Sequence, residues 1–130
     1  PIVEEGDADI LISFELAEAM RYAHFLKKNG VIVVNDCRID PMTVVIGAAE
    51  YPENVVERLK DKHEVYAVDG LSVAKRLGNS KVLNSAVLGA AARMIGFDKE
   101  SWIEVLKETV PPKTVEINEK AFLLGYGEKI

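Results

Sequence analysis

Apolar residues along this chain follow two rhythms: short unbroken runs dominate the first half, and a helical spacing takes over in the second. Ala8 to Ser13 is a compact apolar run after Gly6-Asp7, and its pattern predicts a strand buried on both faces. From Glu15 to Lys28 the spacing changes. Leu16, Ala19, Met20, Ala23 and Leu26 form one stripe of a helix with acidic residues in its first turn, Lys27-Lys28 in its last and Asn29-Gly30 as its stop. Val31 to Asn35 is the clearest strand. Thr43 to Ile46, after the turn at Asp40-Pro41, reads as another. Tyr51-Pro52-Glu53 opens a helix running to about Lys60, Glu64 to Val68 is a fourth strand, and Asp69-Gly70 turns into a helix over 71–77.

Beyond this point the pattern is wholly helical. Lys81 to Ile95 carries Val82, Ala86 and Ala90 among many small neighbours, so another element can approach it closely. Gly96-Phe97-Asp98 combines a helix stop with an N-cap, and Ser101 to Glu108 places Trp102, Val105 and Leu106 on one face. Pro111-Pro112 separates that helix from a last one, 114–126. Strands alternating with helices, followed by helices alone, predict an α/β fold. The expected architecture is a three-layer α/β/α open sheet, Rossmann-like, with a helical C-terminal third. With no repeat and no linker, residues 1–130 read as a single domain.

Composition narrows the function classes. The 130 residues are 48% hydrophobic and 28% charged, which suits a globular core. A net charge of −5 with scattered basic residues argues against nucleic acid. No apolar run approaches the roughly 18–20 residues of a membrane span. The single cysteine, Cys37, admits no internal disulfide and no cysteine-ligated cluster within the chain. A reduced, cytoplasmic setting is the expectation.

Candidate chemistry is sparse. A phosphate-binding loop belongs between a strand and the helix it opens. Ser13-Phe14-Glu15 has no glycine there, and Gly47-Ala48-Ala49-Glu50 has one. His24 is expected to edge the core or an interface, and His63 to be solvated. Neither belongs to a triad or a metal-ligand spacing, so no catalytic residue and no metal site is assigned. Cys37, at a strand end, lacks an evident base and reads as a small residue under a loop. Glu15 and Glu18 lie one helical turn apart, as helix-start charges or as partner contacts. Asn79 sits in the Gly78-Asn79-Ser80 turn, as a cap or a left-handed residue. Asn84 and Asn118 fall inside helices, where an amide is either a buried structural group or a partner contact.

Taken in order, these segments resemble a known family. Gly6-Asp7-Ala8-Asp9-Ile10-Leu11-Ile12-Ser13-Phe14-Glu15 with Glu18-Ala19 is similar to the G-x-A-D-x-L-x-x-F-E-x-x-E-A segment of the gamma-type domain of 2-oxoacid:ferredoxin oxidoreductases. Tyr51-Pro52, then Gly78-Asn79 with Asn84 and Leu88-Gly89, then Asn118 with Ala121-Phe122 and Gly125-Tyr126 follow in the same order. Within the family the likeness is to the small beta subunit of indolepyruvate ferredoxin oxidoreductase. Members begin with a Gly-rich strand-loop-helix and an R-G-G type segment that this sequence does not contain. The chain is therefore expected to be the C-terminal portion of such a domain.

The resemblance implies a non-catalytic subunit of an enzyme of anaerobic metabolism that converts a 2-oxoacid such as pyruvate or indolepyruvate to an acyl-CoA, with electrons passed to ferredoxin. Thiamine diphosphate, Mg and iron–sulfur clusters would lie on a large catalytic partner subunit, CoA would be a substrate of the complex, and this chain would bind no cofactor alone. Glu15, Glu18, Asn79, Asn84 and Asn118 are the candidates for a partner or active-site interface. The alternatives are a stand-alone Rossmann-like small-molecule binding module, or a scaffold domain that self-associates.

Overall fold

The computed structural model describes residues 2–129, which fold into two compact units divided between Ala67 and Val68. The first is built on three parallel strands, β1 (Ala8–Ser13), β2 (Leu26–Asn35) and β3 (Glu64–Val68), in the order β1-β2-β3. Helices α1 (Leu16–Tyr22), α2 (Met42–Val45) and α3 (Val55–Lys60) lie between them in sequence. The second unit is helical: α4 (Gly70–Leu77), α5 (Leu83–Ile95), α6 (Lys99–Thr109) and α7 (Val115–Tyr126).

The central strand is β2, and its apolar run explains why. Ile32, Val33 and Val34 are completely buried, as β-branched side chains are when both faces of a parallel sheet are covered. Ile32 and Val34 share a core with Ala19, Leu26, Val55 and Leu59. The strand expected to be buried on both faces, β1, lies instead at the sheet edge, and Ile12 is 37% exposed.

Two predicted elements differ in the structure. The helix expected over residues 15–28 ends at Tyr22, passes through a 3-10 turn (Ala23–Phe25) and gives way to β2 at Leu26. Leu26 is buried under either periodicity, so spacing alone could not place it. Lys27 to Gly30 consequently lie in β2 and not in a helix end. They form a register jump: Ala8 pairs with Leu26, but Ile10 pairs with Val31. The strand expected at Thr43–Ile46 is the single turn α2. Its β-branched residues satisfy β-propensity only beside a neighbouring strand. Here local bonds win: the amides of Val44 and Val45 donate to the Pro41 carbonyl at 2.9 and 3.1 Å, and Gly47 stops the turn with φ +75°.

The helical unit is ordered by caps and by close approach. Asp69 caps α4 by accepting from the Ser72 amide (2.9 Å), and Asp98 caps α6 by accepting from the Ser101 amide (2.9 Å). Hydrogen bonds to Ser72 and Ser101 hold both carboxyls below their ordinary range. Helices α5 and α7 meet through small residues. A Cβ at Gly89 would sit 2.9 Å from the Phe122 carbonyl carbon, and one at Gly125 would sit 2.6 Å from that of Ala86. Ala86 and Ala121 are fully buried at this contact. Beside it, Ser85 Oγ donates to Asn118 Oδ1 (2.6 Å), and Asn118 Nδ2 donates to the Thr114 carbonyl (2.9 Å). Removing a buried amide strands both partners, so Asn118→Ala is expected to destabilise the protein by about 2 kcal/mol, read by urea unfolding.

Candidate functional site

In an open α/β sheet, the carboxyl ends of the strands are where loops converge on a ligand or a partner. In the first unit this edge is formed by Ser13-Phe14-Glu15 after β1 and by residues 36–51 after β2. The chain turns sharply there. Ser13 Oγ donates to the Glu15 carbonyl (2.7 Å), the Leu16 amide donates to the Cys37 carbonyl (3.0 Å), and Asn35 Nδ2 donates to the Phe14 carbonyl (3.2 Å).

Glu15 is the centre of this edge. It is the N-cap of α1, and its Oε2 accepts from the Glu18 amide at 2.8 Å. Its Oε1 accepts from the Ile39 amide at 3.2 Å and from the Tyr51 hydroxyl. That hydroxyl in turn accepts from the Ala17 amide at 3.1 Å. With only 8% of Glu15 exposed, one carboxylate therefore ties a helix start to two positions of a loop lying more than twenty residues away in sequence. Arg38 stacks over the Tyr51 ring, 4.3 Å from its centroid, and pairs with Asp40 at 2.6 Å. Desolvation, reinforced by Glu15, pushes the Tyr51 hydroxyl up to about 12. It therefore stays a donor throughout the neutral range.

The folded tyrosine holds its proton to about 12, whereas an unperturbed one releases it near 10.0, so between these values the native state binds more protons than the unfolded one. The stabilisation that Tyr51 contributes is expected to be fully present and independent of pH below pH 10, and to be lost between pH 10 and 12. Unfolding midpoints of the wild type and of Tyr51→Phe, followed across that window, check this. The phenylalanine variant should be less stable below pH 10 and should lose this part of the decline.

A cleft of about 770 Å³ opens beside the knot, lined in part by Asp36, Arg38, Tyr51, Glu53 and Lys60. Its chemistry is mixed and solvent-facing. The buried acid next to it already accepts three donors from its own chain, so it offers positioning and no spare base. Among the described residues no group of three His, Cys, Asp or Glu side chains is arranged to hold a metal ion. One thiol, Cys37, cannot supply the four thiolates of an iron–sulfur cluster, so the residues present do not fit that group.

The residues singled out in the sequence are not brought together. Glu15 is in the knot. Glu18 is 42% exposed at its side chain and pairs with Arg21 at 3.0 Å. Asn79 caps the 3-10 turn Ser80–Val82 by accepting from the Lys81 amide at 2.9 Å, with extended and not left-handed backbone; Gly78 supplies the left-handed residue. Asn84 is exposed on α5, so the buried-amide reading does not apply to it, and Asn118 is buried against Ser85. His63 is half-buried, not solvated, with Nδ1 enclosed. Sequence reasoning missed Tyr51, Arg38 and the Ile39 amide. Tyr51-Pro52 was visible only as a helix opener and as part of the resemblance.

Fold and site together define an α/β sheet module with a helical annex, whose strand-end junction braces a loop. Comparison with known proteins gives the family. A family model described as pyruvate ferredoxin/flavodoxin oxidoreductase matches residues 1–128, and the chain belongs to that family. It is 38% identical to the indolepyruvate oxidoreductase subunit IorB of Thermococcus kodakarensis, with 95% of this chain and 64% of that protein aligned. It is 36% identical to IorB of Archaeoglobus fulgidus over 100% of this chain and 67% of the relative. The common gamma subunit of pyruvate/ketoisovalerate oxidoreductases from Pyrococcus furiosus is 29% identical, over 95% and 62%. The chain thus spans about two thirds of the length of these relatives. A crystal structure of a keto/oxoacid ferredoxin oxidoreductase gamma subunit from Geobacter sulfurreducens PCA superposes with a TM-score of 0.67, covering 96% of this chain and 66% of that one; at 24% identity this likeness establishes the fold.

Proposed function

We propose that this chain serves as part of the non-catalytic, indolepyruvate-type subunit of a 2-oxoacid:ferredoxin oxidoreductase, supporting oxidative decarboxylation to an acyl-CoA on a large partner subunit. The observation that carries this reading is the 38% identity to an indolepyruvate oxidoreductase subunit across 95% of the chain. The chemistry of the site supports it. Glu15 is spent on internal bracing, and the lone thiol leaves clusters to a partner, together with thiamine diphosphate and Mg. A reduced, cytoplasmic location fits the free Cys37, and no helix among the described residues is long and apolar enough to cross a membrane. Of the polar interface candidates, Glu18 and Asn84 retain exposed side chains, Asn79 is a half-exposed cap, and Glu15 and Asn118 are buried.

Co-expression with the large subunit tests the proposal. The two should co-purify, and indolepyruvate-dependent reduction of ferredoxin should require both. Full activity of the large subunit alone, with no association, would overturn it. The cleft beside Tyr51 motivates the second reading, a stand-alone binding module. A large rise in melting temperature with CoA or a nucleotide in the absence of any partner would favour that alternative.

A further inference from the structure

At the amino ends of the strands, opposite the Glu15 junction, α1 and α3 run out over a pocket of about 410 Å³, a size in the range of small-molecule sites. Its floor is apolar: Leu59 belongs to the sheet core, and Met20 and Ala23 pack against it. Every other lining side chain is ionisable: His24, Arg58, Asp61, Lys62 and His63.

Helix ends ordinarily attract cations, because their last carbonyls lack intrahelical donors. Here those carbonyls are already served. The Arg21 carbonyl accepts from His24 Nδ1 (2.9 Å), the Glu57 carbonyl from the Asp61 amide (3.2 Å), and the Leu59 carbonyl from the amides of Lys62 (3.2 Å) and His63 (2.9 Å). His24 Nε2 is turned to Glu5, 3.9 Å from its Oε1. Neither Arg58 nor Lys62 has a side-chain partner among the described residues. They stand one turn apart at the end of α3, where like charges repel and cost stability unless an anion lies between them.

His63 supplies an independent sign. Its Nδ1 is enclosed and has no hydrogen-bond partner among the described residues. A proton there would be a buried donor with nothing to receive it, so the ring proton sits on Nε2, the nitrogen left accessible. The pocket therefore presents a guanidinium fork, an ammonium and an imidazole N–H, none of them committed within the chain. Three such donors over one cavity suit the three terminal oxygens of a phosphate monoester better than the two of a carboxylate. Asp61, the one carboxylate in the lining, opposes a bare anion but is an acceptor for a hydroxyl carried by the same ligand.

We propose that this pocket binds a hydroxyl-bearing phosphate monoester, with Arg58, Lys62 and His63 on the phosphate, Asp61 on a hydroxyl, and Met20, Ala23 and Leu59 under the carbon skeleton. The site is separate from the Glu15 junction and does not depend on the subunit reading.

Titration of the protein with ribose 5-phosphate and with inorganic phosphate, at constant ionic strength, tests it. Both should bind saturably and shift the imidazole NMR signals of His63, with ribose 5-phosphate tighter by about tenfold, as one added hydrogen bond to a charged group gives. Arg58→Gln/Lys62→Gln should weaken both ligands at least about tenfold, while the melting temperature without ligand holds or rises as the repulsion is removed. Asp61→Asn should weaken ribose 5-phosphate and leave inorganic phosphate as tight or tighter, a split that general loss of structure would not produce. Lys81→Gln, at an exposed lysine of the helical unit, should bind both as the wild type does. No saturable binding of ribose 5-phosphate, or wild-type affinity in Arg58→Gln/Lys62→Gln, would overturn the site. Equal affinity for the two ligands would overturn the ester assignment, with free phosphate as the occupant.

Discussion

Gly125→Ala is expected to disrupt the helical unit, and Gly89→Ala to do nearly as much. In an exposed helix, replacing glycine with alanine stabilises by about 1 kcal/mol, because it reduces the freedom of the unfolded chain. At Gly125 the added methyl would penetrate the Ala86 carbonyl group, reaching 2.6 Å from its carbon. The obstacle is backbone, which cannot rotate away as a side chain end can. Relief requires α5 and α7 to separate, and separation opens the contact that buries Ala86, Ala121 and Phe122. Overpacking of this kind costs about 3 kcal/mol or more at its upper end, which exceeds the propensity gain and is a large fraction of a small protein's stability. Urea unfolding should show a lower midpoint, or a population already unfolded in buffer. A variant as stable as the wild type would mean that the two helices do not meet as closely as described.

Glu15→Ala is expected to be the most damaging change in the sheet unit. It leaves the Glu18 and Ile39 amides and the Tyr51 hydroxyl without their acceptor at a position that is 8% exposed. Each stranded donor carries a desolvation cost, and allowing for water entry the total is about 3 kcal/mol. Glu15→Gln should lose roughly half as much: the amide oxygen can still accept on one side, while its NH2 group faces a donor on the other. A specific readout separates bracing from general loss of stability. Exchange of the Ile39 amide proton should accelerate at least about tenfold in Glu15→Ala under conditions where the buried β2 amides remain protected. Uniform acceleration across the unit would show that the carboxylate matters for folding and not for the loop in particular.

Much of the architecture was legible because local rules and the fold agree. The run Val31 to Asn35 could only be a covered strand, and Asp98 three residues before Ser101 announced a helix start. The small residues of α5 signalled that another element approaches it closely, and α7 is that element. What was illegible depended on distant partners. Thr43 to Ile46 has strand composition but no strand beside it, and Leu26 satisfies a helical and a sheet core equally. The local role of Glu15, capping α1, could be read from its position. Its link to Ile39 and Tyr51 could not, because nothing in the sequence places those residues beside it. The exposed amide of Asn84 and the buried one of Asn118 look alike in sequence, and only the packing of α5 against α7 separates them.

The jump in pairing between β1 and β2 has a consequence for redesign. From Ala8 to Ile10 the edge strand advances two residues, while its partner advances five, from Leu26 to Val31; the surplus of three is absorbed around the exposed Lys27, Lys28 and Asn29. Below that point the pairs Ile10–Val31 to Ser13–Val34 are indexed by the core and not by the length of chain leading into them. The Lys28-Asn29 step is therefore a natural seam, where residues can be spliced in to carry an epitope or a dye without sliding the sheet that orients the Glu15 junction.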